Sequence, residues 1–140
     1  SDPLSQFRKD QPSVNTISKS SGKRPYEAFD KTGKPSPYTE IRCVTQSSQS
    51  PQSRFFMAAV FSSDFDSAFT LIYSFLAVEV RGQHLAEIRR AIQQGHCEFI
   101  QEFHENEFLP LRPGQPVIES IRFITGEKLD DILASHKAGR

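Results

Sequence analysis

Large apolar side chains are spread so unevenly along this chain that they dictate where a core can form. Between Ser1 and Pro37 they are sparse (Leu4, Phe7, Val14, Ile17, Tyr26 and Phe29) and follow neither a helical nor a strand period, while Ser, Lys, Gly and Pro dominate. A segment of that composition buries too little surface to offset the entropy of ordering it. Residues 1–35 are therefore expected to form a flexible basic tail, with Tyr26 to Phe29 as the one amphipathic patch suited to docking on the body. Residues 36–140 carry the dense apolar runs and fit a single α+β domain of common size.

Charge follows the same division. Residues 1–35 hold seven Lys/Arg against four acids, and residues 36–140 hold ten against thirteen, so a net charge of zero conceals +3 and −3. No Lys occurs between Lys34 and Lys128, and the body takes its positive charge from scattered arginines. This argues against a strongly basic nucleic-acid groove. There is no run of about 18 apolar residues and no basic-then-apolar signal pattern at the N-terminus, so no membrane association and a cytoplasmic location are expected. Cys43 and Cys97 are too few for a disulfide framework and too far apart for a structural zinc motif, and are read as buried, reduced thiols.

The order of elements comes from periodicity. Tyr38 to Thr45 (YTEIRCVT) alternates and is β-branched, which predicts a strand; Gln46 to Ser53 is a polar loop. Phe55 to Phe61 (FFMAAVF) is a continuous apolar run of strand length, compatible with a strand buried on both faces. Ser62 to Ser67 (SSDFDS) predicts a turn. Phe69 to Arg81 (FTLIYSFLAVEVR) is rich in aromatic and β-branched residues and reads as one long strand. In HLAEIRRAIQQG, Leu85, Ile88 and Ile92 share a helical face, and Gly95 stands where a C-cap needs left-handed backbone. His96 to Phe103 and Val117 to Ile124 predict two further strands around a Pro-containing loop, and Thr125-Gly126 opens a terminal helix with Leu129, Ile132 and Leu133 on one side. The resulting order, strand, strand, strand, helix, strand, strand, helix, is similar to a small five-stranded antiparallel Greek-key barrel of the OB type, with a strongly bent open sheet as the alternative. In the barrel, the strands containing Cys43 and Cys97 would be neighbours.

No catalytic constellation emerges. His96, Glu98, Glu102 and His104 would share one strand face, but they fan out along it, and a solvated face is the simpler reading. Asp64 and Asp66 read as turn caps, and Asp130 and Asp131 suit the first turns of a helix. Neighbours on a strand point to opposite faces, so His96 cannot readily activate Cys97. There is no phosphate loop or nucleophile elbow, which disfavours an enzyme and implies neither cofactor nor metal. The remaining signal is the pairing of rings with arginines, and the expected ligand-binding set is Arg54, Phe56, Phe65, Tyr73, Arg81 and Arg112. The expected function is a non-enzymatic, protein-binding adaptor or accessory module; a single-stranded nucleic-acid binder, stacking bases on those rings, is the alternative.

Overall fold

The computed structural model describes residues 22–62 and 66–138. Its strands are β1 (Glu40–Arg42), β2 (Phe56–Phe61), β3 (Ala68–Tyr73), β4 (Leu76–Gln83), β5 (Phe99–Gln101) and β6 (Val117–Ile124). A 3-10 turn spans Ser53–Phe55, and the helices are α1 (Ala86–Gln93) and α2 (Gly126–Ala138). Two sheets result, a four-stranded antiparallel one in the order β2-β3-β4-β6 and a two-stranded parallel one, β1-β5.

This corrects the expected five-stranded antiparallel barrel. The segment read as one long strand is a hairpin that turns at Ser74-Phe75, with Tyr73 paired to Leu76. Tight hairpins usually announce themselves by Gly or Asn at positive φ; neither turn residue here has positive φ, so the sequence carries no such mark. The segments of Cys43 and Cys97 are indeed neighbours, but Ile41 pairs with Ile100 in parallel register inside the small sheet. That pairing closes no barrel, and β2 and β6 remain the two ends of the larger sheet.

Alternation sorts the four-stranded sheet into two faces. Phe69, Leu71, Tyr73, Leu76, Val78 and Val80 point to one side, where Leu85, Ile88 and Ile92 of α1 and the small sheet meet them in the main core. On the other side, Ala77 and Ile124 are covered by Leu129, Ile132 and Leu133 of α2, the helical face expected from the sequence. The end of α1 also follows its sequence. Gly95 has φ 73°, its N–H donates to the Ile92 carbonyl, and the His96 N–H donates to the Ala91 carbonyl, the double bond of a Schellman cap.

The patch at Tyr26 to Phe29 is part of the core. Tyr26, Ala28 and Phe29 are buried with the residues of the main cluster. Phe29 bridges antiparallel to Ile100, which places β5 between β1 and this segment. Asp30 is held beside it, its carboxylate accepting the Thr32 and Glu98 backbone N–H groups at 2.9 and 3.0 Å. Those donors keep the Asp30 carboxyl below its ordinary value against the opposing cost of burial, which is the largest single influence on it. The packed body thus takes in residues that a division between Pro35 and Ser36 would assign to the tail. The flexibility expected of residues 1–21 lies outside the described residues.

Candidate functional site

An end strand of a sheet exposes a row of backbone donors and acceptors, and proteins usually cover it or mark it with charge. The outer edge of β6 is partly covered: Glu102 bridges to Ile118, the Phe103 N–H donates to the Ile118 carbonyl at 2.7 Å, and Gln46 Nε2 donates to the Ile121 carbonyl at 2.8 Å. Both edges of β1 are occupied as well, one by β5 and the other by the bridges Tyr38 to Gln52 and Ile41 to Gln49. At β2 the situation differs. Among the described residues, Phe56 and Ala58 to Phe61 pair with β3 alone, and Met57 has no strand partner.

The side chains along that edge are apolar. Phe55, Met57, Val60, Phe61 and Phe75 are each between 37% and 49% exposed, and no charged residue interrupts Phe55 to Phe61. This corrects the expectation of a strand buried on both faces. A register shift between Phe56 and Ala58 leaves Met57 as an extra residue, after which Ala59 and Phe61 face the core side and Val60 the other. Exposed apolar groups therefore project from both faces of the edge. Phe55 and Phe75 meet edge to face at 5.8 Å, which ties the 3-10 turn to the β3-β4 hairpin at one end of the strip.

Each end of the strip carries an arginine. The Arg54 guanidinium lies over the Phe55 ring, 4.7 Å from its centroid, and that of Arg89 lies over Phe61 at 3.5 Å. Arg89 also donates to Gln93 Oε1 at 2.8 Å. Among the described residues the ion pairs are Arg42 with Glu40 and Arg81 and Arg122 with Glu79, so no carboxylate pairs with Arg54, Arg89 or Arg90. Beyond Phe61 the strip opens into a cleft of 310 Å³, floored by Phe69 and Leu85 and rimmed by Ser62, Asp66, Arg89 and Arg90.

The sequence-predicted set is only partly assembled. Arg54 and Phe56 lie along this strip, but Tyr73 is fully buried, packed against Phe56 at 5.4 Å, and serves the core. Arg81 stands on the opposite face of the sheet from Tyr73, bonded to Glu79 at 3.3 Å. Arg112 belongs to the loop before β6, where its backbone N–H donates to Gln115 Oε1. Phe65 and Asp64 lie outside the described residues. Met57, Val60 and the flanking Arg89 were missed, because a continuous apolar run carries no sign of whether its strand is central or terminal. The absence of any charge among FFMAAVF, read with Arg54 at its start, was the available hint.

No family model matches the chain, and neither a curated protein nor a solved structure matches it.

The polar side chains of the segment from His96 to His104 are dispersed among separate partners. Glu102 is buried and accepts the Val44 N–H at 2.9 Å, Glu98 accepts the Tyr38 hydroxyl at 3.1 Å, and His104 Nδ1 accepts the Asn106 N–H at 3.2 Å. Among the described residues, no group of three or more His, Cys, Asp or Glu is arranged to hold a metal. Nor is any helix there long and apolar enough to cross a membrane. Cys97 is buried in the main core, its Sγ donating to the Phe99 carbonyl at 3.1 Å, and Cys43 is half-buried against the same core. Burial pushes both thiols up to about 11, which opposes thiolate formation.

Proposed function

We propose that the protein is a non-enzymatic interaction module that binds another protein by accepting an extended segment at the edge of β2. The observation that carries this reading is the coincidence, on one strand, of an edge whose backbone has no strand partner beyond β3 among the described residues, an unbroken apolar strip and a run from Phe55 to Phe61 without the charges that ordinarily protect an edge. In such strand addition, main-chain hydrogen bonds supply affinity and the side-chain contacts on either face supply selectivity. Nucleic-acid stacking has less support, since Tyr73 is buried and Arg81 and Arg112 make no ring contacts among the described residues.

The test is titration with an acetylated, amidated peptide of alternating Thr and Val, read by isothermal calorimetry beside the variants Met57→Lys and Val60→Lys. Both positions are exposed, so each variant should fold with an unchanged circular dichroism spectrum, and each should weaken binding by at least about tenfold because a buried ammonium is costly. Equal binding by both variants would move the site away from β2.

A further inference from the structure

We infer that the segment taken up at β2 is an apolar strand bracketed by two acidic side chains, one meeting Arg54 and the other meeting Arg89 and Arg90 at the cleft. The inference rests on the strand-addition reading and specifies its partner. The apolar strip alone would accept any β-forming segment; its ends would not.

Both arginines are held by the rings beneath them, with no carboxylate partner among the described residues. A guanidinium stacked on a ring still presents N–H donors at its rim, and a carboxylate accepts two of them side by side. At the far end, Arg90 adds a second cation on the rim of the 310 Å³ cleft, where, among the described residues, Asp66 alone supplies a carboxylate. The two arginine sites are separated by Phe55, at the end of the 3-10 turn, and the five residue steps of β2 from Phe56 to Phe61, together about 20 Å at most. The acids of the partner should therefore stand about six residues apart, with an apolar stretch between them.

The same charges argue against a second copy as occupant. Antiparallel pairing of β2 with its own two-fold mate would set Arg54 of one chain beside the Arg89 end of the other, placing like charges together at both ends. A free C-terminal carboxylate is also a poorer fit than acidic side chains, since one terminus can serve only one of the two arginine sites.

The experiment compares acetylated, amidated Asp-Val-Thr-Val-Thr-Val-Asp with the same peptide carrying Asn, or Lys, in place of both Asp residues. The full chain is used, and binding is followed by calorimetry and by the amide spectrum of β2. The Asp peptide should bind about tenfold or more tighter than the Asn peptide, lose that margin at high salt, and perturb the β2 amides. The doubly substituted chain Arg54→Glu, Arg89→Glu should reverse the order and prefer the Lys peptide, a swap that mere loss of folding would not produce. Equal affinity for the Asp and Asn peptides, with the β2 amides perturbed by both, would overturn the acidic bracket and leave strand addition standing. No perturbation of β2 by any of the peptides would overturn both. Exchange protection of the outward β2 amides in the free protein would mean that the edge is already occupied, and would overturn the bracket as well.

Discussion

Tyr26→Phe should destabilise the protein by about 2 to 4 kcal/mol although it removes a single oxygen atom. The Tyr26 hydroxyl donates to the Gln101 carbonyl at 2.6 Å and accepts the Ile118 N–H at 2.9 Å. Gln101 belongs to the parallel sheet and Ile118 to the antiparallel one, so this oxygen is a polar rivet between the two. The ring meets Phe103 and Phe108 edge to face at 5.1 and 5.0 Å, and Phe would keep those contacts. The substitution thus isolates the hydrogen bonds. Each bond is worth about 1 kcal/mol net, and stranding a buried partner costs about 1 to 3 kcal/mol; Ile118 has no exposed surface through which water could replace the lost acceptor. With a urea slope of about 2 kcal/mol per molar, the unfolding midpoint should fall by about 1 to 2 M. Tyr26→Ala removes the ring contacts too, and should bring the total loss to about 4 kcal/mol or more. The assay is urea denaturation followed by circular dichroism at pH 7. A Tyr26→Phe midpoint within about 0.2 M of the parent would refute the reasoning, since the rivet would then carry no load.

Three further outcomes follow from the same packing. Gly82→Ala should fail to fold stably, because a Cβ there would lie 1.9 Å from the Val117 carbonyl oxygen, a backbone atom that cannot swing aside; a soluble variant with the parental melting temperature would contradict this. Truncation at Ser36 removes Tyr26, Ala28 and Phe29 from the main core and should abolish cooperative unfolding, which calorimetry would detect; an intact transition would show that these residues are dispensable. Burial raises the Cys97 thiol from 9.0 to about 11, so its contribution to stability is intact below pH 9 and is lost as the pH rises through 11. Denaturation midpoints should accordingly fall across that window, less steeply in Cys97→Ala, and native Cys97 should resist iodoacetamide until the protein unfolds.

Where local chemistry decides conformation, the sequence was readable. The run from Leu85 to Gly95 gave the helix, its buried face and its glycine cap; Val117 to Ile124 gave a strand with the observed bounds. What stayed hidden depends on long-range pairing. Ser74-Phe75 turns without Gly, Asn or Pro because the cross-strand pairs on both sides of it hold the hairpin, and those pairs cannot be seen in one segment. The docking of Tyr26 and Phe29 relies on partners about 70 to 90 residues away, so the amphipathic patch was visible in the sequence but the place where it lands was not. The candidate site shows the same limit. Rings suited to stacking were visible, but which of them face the core was not: Tyr73 pairs inward with Leu76 while Phe75, two residues on, stands at the open tip of the turn.

The central claim, that the β2 edge receives an extended segment, is tested most directly by amide hydrogen exchange on the labelled full chain, with and without the Asp-bracketed peptide. In the free protein, the β2 amides that point away from β3 should exchange rapidly, and the alternate amides bonded to β3 should be protected. Saturation with peptide should slow the outward amides between Met57 and Phe61 by about tenfold or more, while leaving β1 and β5 unchanged. Peptide binding that leaves the outward β2 amides exchanging as before would contradict the account.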